Sequence, residues 1–168
     1  MDSSNTVEAV IERPLGPAMA GEVLTLQRAA YATEAQVYRD PFLPALTQPL
    51  DELARELEGP GLGLWQGERL IGAVRWTVAD DIAHVGRLTV APDLQGRGIG
   101  TRLLRAAERA SGASEFELFT GHLSEANIRL YEREGYAVAR REPLHDGVDL
   151  VFMRKSAHPA RASSTAAR

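Results

Sequence analysis

The chain has 168 residues, 44% of them apolar and 25% charged, with a formal net charge of -4 and no cysteine. That length and balance suit one soluble globular domain. The missing cysteines exclude disulfides, thiolate metal sites and a cysteine nucleophile, and suit a reducing, cytoplasmic setting. The acidic balance argues against a nucleic-acid binder, which carries a basic excess. No apolar run approaches the ~18 residues of a membrane helix, so no membrane partner is expected. The polar opening Met1 to Thr6 lacks the apolar stretch of a secretory signal.

Residues 1–5 and 156–168 are polar or rich in Ala, Ser and Arg and show no periodic apolar face. Both ends read as disordered, leaving 6–155 as a single domain. Val7, Ala9 and Ile11 recur at every second position and predict a first strand over Thr6 to Glu12. Gly21 to Tyr38 predicts a helix with an apolar stripe of Val23, Leu26, Ala30 and Val37. Beside it runs a mixed stripe of Leu24, Gln27, Tyr31, Glu34 and Tyr38. Three prolines make Asp40 to Pro49 a loop, and Leu50 to Glu58 is a short amphipathic helix stopped by Gly59-Pro60. Leu62 to Gln66 and Arg69 to Ala79 flank Gly67 as a hairpin, and the Asp80-Asp81 turn leads into a strand over Ala83 to Val90.

A glycine-rich segment follows, and then a helix with Ile99, Leu103, Ala106, Ala107 and Ala110 on one face, ended by Ser111-Gly112. Glu115 to Thr120 predicts a strand. Ser124 is the expected N-cap of a helix that runs to Glu134, with Gly135 closing it. Tyr136 to Arg141 and Val148 to Arg154 are closing strands joined through Pro143 to Gly147. The order β-α-α-β-β-β-α-β-α-β-β predicts an α/β (α+β) domain, a mixed sheet with helices on both faces.

The chemistry concentrates in the run from Arg87 to Thr101, where an apolar strand passes through Gln95-Gly96-Arg97-Gly98-Ile99-Gly100 into a helix. Glycines allow close approach to the backbone, and the first amides of a helix lack partners and sit at the positive end of its dipole. Together these make a phosphate cradle. An ordinary strand-to-helix turn is the bland alternative. A dinucleotide fingerprint, with Glu115 or Glu117 as the ribose acid, lacks its third glycine and its surrounding βαβ units. The second motif is Asn127 and Tyr131, four residues apart on one helix face, closing with Tyr131-Glu132-Arg133-Glu134-Gly135-Tyr136.

In that order the two motifs resemble the GNAT superfamily of acetyl-CoA-dependent N-acetyltransferases. That family carries Gln/Arg-x-x-Gly-x-Gly/Ala after its fourth strand, then an Asn, a Tyr and a Gly-Tyr/Phe ending near its fourth helix. The likeness covers roughly Leu62 to Arg154, and the N-terminal third matches in element order only. The resemblance implies a mostly antiparallel sheet of about seven strands, splayed between the fourth and fifth. It implies acetyl-CoA as co-substrate and no metal. The backbone of Leu88, Thr89 and Val90 is expected to pair with the pantetheine arm. The amides of Gln95, Gly96, Arg97, Gly98, Ile99 and Gly100 are expected to hold the pyrophosphate, with Thr101 capping the helix start. The Val90 amide is the oxyanion donor, Tyr131 the acid that protonates the leaving thiolate, and Asn127 the residue that orients the pantetheine amides. Arg97 and Arg102 read equally well as phosphate contacts or as a solvated helix face.

Acetyl transfer to an amine also requires loss of the ammonium proton. His84 is one candidate base, expected to share a strand face with Gly86, Leu88 and Val90 by the period of two. Glu34, on the mixed stripe between Tyr31 and Tyr38, is the other. A sheet-edge histidine and a surface glutamate are the bland alternatives, a water chain without a side-chain base is a third route, and His122 is a remoter one. The expected activity is direct attack by a primary amine on the thioester, with a small amine-bearing acceptor and the Pro41 to Pro49 loop as a lid. A protein N-terminus or lysine as acceptor, a hydroxyl or water as nucleophile, or an acyl-CoA-sensing module without catalysis are the alternatives. Relatives of this kind often form homodimers through their last strands, and the alternation in Val148 to Arg154 is equally that of an internal strand.

Overall fold

The computed structural model describes residues 9–145 and 147–157. Its core is a seven-stranded sheet built from β1 (Val10–Pro14), β2 (Gly61–Gln66), β3 (Arg69–Ala79), β4 (Ile82–Val90), β5 (Glu115–Gly121), β6 (Ala137–His145) and β7 (Val148–Ser156), in the order β1-β2-β3-β4-β5-β7-β6. Every neighbouring pair is antiparallel except β4 and β5, which run parallel. Tight turns make the first hairpins: Gly67 has φ of 60°, and Asp80 and Asp81 have φ of 51° and 61°. Two successive left-handed residues give a turn whose twist matches that of the strands, and Asp tolerates that region.

Helices cover both faces. On one side lie α1 (Ala20–Tyr38), α2 (Pro44–Thr47) and α3 (Leu50–Glu56). Their apolar residues Val23, Leu26 and Leu53 pack on Trp65, Leu70 and Ala73. On the other side lie α4 (Ile99–Ser111) and α5 (Glu125–Arg133). There Leu103, Leu104 and Tyr131 pack on Leu64, Ile71, Val74, Phe116 and Met153. The first layer contains a buried polar knot. The Arg75 guanidinium donates to Gln27 Oε1 at 3.2 Å and to Glu56 Oε2 at 3.1 Å, while Gln27 Nε2 donates to the Ala45 carbonyl at 2.9 Å and to Gln48 Oε1 at 3.0 Å. Buried polar groups must be paired, and this knot pairs them across three helices and β3.

Several elements differ from their sequence expectation. The first strand is Val10–Pro14, displaced from Thr6 to Glu12, because pairing of Val10 with Gln66 and Pro14 with Leu62 sets its register; Thr6 to Glu8 fall outside the described residues. An edge strand accepts a proline at its end. The Asp40 to Pro49 loop contains α2, held by the Gln27 bond to Ala45. Val37, expected on the apolar stripe of α1, is 45% exposed, and Gln27 is buried in its stead. The last hairpin is tighter than expected, since β6 continues through Pro143 to His145. Residues 1–5 and 158–168 lie outside the described residues, but Ser156 ends β7 and the Ala157 amide donates to the Ser114 carbonyl at 2.8 Å. Val148 to Arg154 is an internal strand between β5 and β6, so the exposed sheet edge at that end is β6.

One packing contact is tight enough to test. A Cβ on Gly72 in β3 would stand 2.7 Å from Leu103 Cδ1 and 3.0 Å from Ile99 Cγ2. Overpacking of this kind costs about 1–3 kcal/mol. Gly72→Ala is expected to lower the unfolding free energy by that amount, read as a lower urea midpoint with the slope of the transition unchanged; an unshifted midpoint would show that α4 yields freely.

Candidate active site

β4 and β5 pair only at Ile82 with Glu115, Ala83 with Phe116 and His84 with Glu117. Beyond those pairs β5 follows β7, and β4 stays with β3. A bulge bends β4 away: Arg87 and Leu88 together oppose Val74, and Arg87 has φ of 51°. The strands therefore separate into a cleft of roughly 980 Å³, lined by Leu88 to Val90, by Leu118 to Gly121 of β5, and by Tyr31, Glu34, Tyr38, Asn127 and Tyr131 from α1 and α5.

One end of the cleft is built from backbone. Gly96 and Gly98 have φ of 75° and 80°, which bulkier residues rarely adopt. Among the described residues the amides of Gly98, Ile99, Gly100 and Thr101 donate to no protein acceptor. Gln95, Gly96 and Gly98 to Thr101 line the cleft; Arg97 does not. The N-cap of α4 is Gly98, so Thr101 lies inside the first turn and does not cap it. The left-handed turn at Gly98 starts the helix earlier than expected. Arg102 reaches away from the loop to donate to the Val10 carbonyl at 3.1 Å. Unpaired amides at a helix start form an anion site.

The middle of the cleft is the free side of β4. The Ala91 amide donates to the Ile71 carbonyl on β3 at 2.8 Å. Successive amides of an extended strand alternate in direction, so the Val90 N–H points away from β3, into the gap. Tyr131 faces the same space from α5. It is buried, its ring lies 6.1 Å from that of Tyr136, and its hydroxyl makes no hydrogen bond to the protein among the described residues. Burial pushes the phenol well above its ordinary pKa, and the negative charge of Glu34 adds to the shift. Such a phenol holds its proton at neutral pH and is a donor.

The far end carries a hydrogen-bond chain that joins α1 to the β5–α5 half. The Leu123 amide donates to Tyr38 Oη at 3.0 Å, Tyr38 Oη donates to Ser124 Oγ at 2.8 Å, and Ser124 Oγ donates to Glu34 Oε2 at 2.6 Å. Asn127 Nδ2 donates to Glu34 Oε1 at 3.2 Å and to Thr120 Oγ1 at 3.4 Å. Tyr38 approaches so closely that a Cβ on Gly121 would overlap its hydroxyl. Ser124 occupies the expected N-cap position of α5, yet its hydroxyl makes no capping bond and turns to Glu34. Its role in the site was invisible in the sequence, where a serine before a helix reads as a cap.

His84 is not where the period of two put it. The bulge at Arg87 breaks the alternation, so Leu88 and Val90 face α4 and α5 with Ala83 and Val85, while His84 faces the opposite side. His84 does not line the cleft. Its Nδ1 lies 3.6 Å from Glu117 Oε1, in a surface knot where Glu117 also accepts from Arg140 at 2.9 Å and from Arg154 at 2.6 Å. His122 is likewise engaged elsewhere, its Nδ1 accepting the Asp149 amide at 3.0 Å. Of the two expected bases, only Glu34 reaches the cleft.

Residues 61–138 match the acetyltransferase (GNAT) domain family. The uncharacterised N-acetyltransferase YjcF of Bacillus subtilis (strain 168) is 29% identical over 134 residues, 77% of this chain and 91% of that protein. PaiA N-acetyltransferase of Thermoplasma acidophilum, solved in complex with coenzyme A, has the same fold with a TM-score of 0.72 at 19% identity, over 88% of this chain and 99% of that one. YncA of Salmonella typhimurium, solved with its cofactor acetyl-CoA, gives a TM-score of 0.70 at 17% identity, over 94% and 99%. The chain thus carries a match to the GNAT acetyltransferase domain over residues 61–138 and has the fold of solved N-acetyltransferases.

The Glu117 knot makes a pH prediction. Burial pushes its carboxyl up, but the hydrogen bonds and charges of Arg140 and Arg154 outweigh it, and the net pKa falls below the usual value. A depressed folded pKa contributes stability above the unfolded value of about 4.3, lost as pH falls through the folded value. Glu117→Gln is expected to melt several degrees below the parent at pH 7, with the gap closing below about pH 4. Thermal melts at the two pH values check this; a gap independent of pH would assign the loss to packing.

Proposed function

We propose that this protein moves the acetyl group of acetyl-CoA directly to the primary amine of a small molecule. The observation that carries the proposal is a single cleft with unpaired helix-start amides at one end, the Tyr131 hydroxyl in its middle and the Glu34 carboxylate at the other end. Acetyl-CoA supplies the acetyl group as an activated thioester. The amides of Gly98 to Thr101, beside Gln95 and Gly96, suit its diphosphate. The free edge of β4 from Leu88 to Val90 suits the amides of the pantetheine arm. Asn127 holds Glu34 with its NH2 group, and its oxygen accepts nothing from the protein among the described residues, leaving it for a pantetheine N–H.

Each proton then has an owner. Glu34 takes the proton of the incoming ammonium, since a carboxylate with two donors keeps further lone pairs. As the C–N bond forms, the Val90 N–H meets the charge that develops on the carbonyl oxygen; loss of such donors costs about 2.7–4 kcal/mol in other acyl-transfer sites. As the C–S bond breaks, Tyr131 gives its proton to sulfur, and its phenolate is restored by the second proton that nitrogen sheds as the tetrahedral intermediate collapses to the amide. His84 drops out of the proposal because its imidazole lies outside the cleft. The retained phenol favours catalysis over a sensing module, which has no thiolate to protonate. The missing cysteines fit a cytoplasmic setting.

Release of free thiol from acetyl-CoA across a panel of small amines tests the activity; no release with any amine overturns it. Tyr131→Phe is expected to lower kcat at least about tenfold with calorimetric acetyl-CoA affinity little changed. Glu34→Gln is expected to lower kcat/KM at pH 7 by about a hundredfold, with the deficit shrinking as pH approaches the amine's own pKa of about 10. A deficit constant across the pH–rate profile would remove Glu34 as the base.

A further inference from the structure

The strained residue of β4 is an arginine. Arg87 is the extra residue of the bulge and adopts φ of 51°, a conformation that suits glycine and that bulky side chains avoid. Strain at a cleft wall is a pointer to function. The Arg87 guanidinium lies over the Tyr31 ring, 5.8 Å from its centroid, and both residues line the cleft. Tyr31 stands one helical turn before Glu34 on the same face of α1. Guanidinium, ring and carboxylate therefore follow one another along the α1 wall.

The charges around Arg87 leave it without a counter-ion. Arg75, on β3 beside Gly86, is already satisfied by Glu56 and Gln27. Glu34 is held by Ser124 and Asn127, and Asp40, the other carboxylate of this wall, accepts the Phe42 amide at 2.8 Å. Among the described residues Arg87 forms no ion pair and no hydrogen bond, and no buried side-chain nitrogen is left unpaired, so its N–H groups open to the cleft. An accessible guanidinium with no protein partner is free to take an anionic ligand. Its planar fork matches a carboxylate in two parallel bonds.

We propose that Arg87 determines acceptor specificity: the acceptor is an amine that also carries a carboxylate, with the amine toward Glu34 and the carboxylate on Arg87. This rests on the acetyl-transfer reading and narrows its acceptor to zwitterionic amino acids. The bulge, by turning Arg87 onto the α1 side, converts an interruption of β4 into the anion-recognising wall of the acceptor site.

The test is a series of straight-chain amino acids, from glycine to 6-aminohexanoate, each compared with its own carboxamide, with 1,4-diaminobutane alongside and thiol release as the readout. At least one acid is expected to exceed its carboxamide about tenfold or more in kcat/KM, the size of loss expected when a desolvated charge pair is broken. In Arg87→Asn, a residue that tolerates the left-handed backbone, that ratio should collapse toward one through a rise in KM for the acid, with the acetyl-CoA KM unmoved. Arg87→Gly, which also relieves the strain, should behave alike, and a thermal melt of both checks that they fold. Equal rates for acids and carboxamides, preference for the diamine, or a rise in acetyl-CoA KM in Arg87→Asn would each overturn the proposal while leaving acetyl transfer standing. Failure with every amine, neutral ones included, would overturn both.

Discussion

Everything in this molecule turns on how briefly β4 and β5 touch. The two strands share three residue pairs, ending at His84 and Glu117, and then part. A parallel pair held any longer would close its ladder and leave no gap. Each strand is retained by another partner, β4 by β3 and β5 by β7, so separation leaves both sheet halves intact. The bulge at Arg87 adds the bend that carries β4 away. The parting exposes one edge of β4, and the chain then delivers the free amides of α4 to the mouth of the same gap.

A cleft through the middle of a sheet could leave its two halves loosely joined. Here the join is polar and runs through the site itself. Tyr38 and Glu34 extend from α1, which packs on β3, to Leu123, Ser124 and Asn127 on the β5–α5 side. The same bonds orient the Glu34 carboxylate. Stability and site geometry are thereby coupled, and the glycine at position 121 is demanded by the closeness of Tyr38.

The two candidate bases separate on simple physical grounds. Both His84 and Glu34 are residue types that can take a proton. The bulge turned His84 to the face away from Leu88 and Val90, where Glu117, Arg140 and Arg154 form a charge knot with it. Glu34 kept its place because helical spacing along α1 is regular, so the mixed stripe of Tyr31, Glu34 and Tyr38 meets the cleft as a unit.

Local pattern alone determined the order of the strands and of the longer helices, the glycine loop and the pairing of Asn127 with Tyr131, because period, turn residues and short motifs are properties of neighbours in the chain. The boundaries of β1 and β6, the helical turn at Pro44, and the start of α4 at Gly98 depended on cross-strand register and on bonds such as Gln27 to Ala45. The side of the sheet on which His84 lies, the turn of Ser124 from cap to carboxylate partner, and the exposure of Arg87 were decided only in the folded molecule. Each depends on a single residue that breaks a repeat or on contacts between segments tens of residues apart, and a repeat read along the chain assumes that neither occurs.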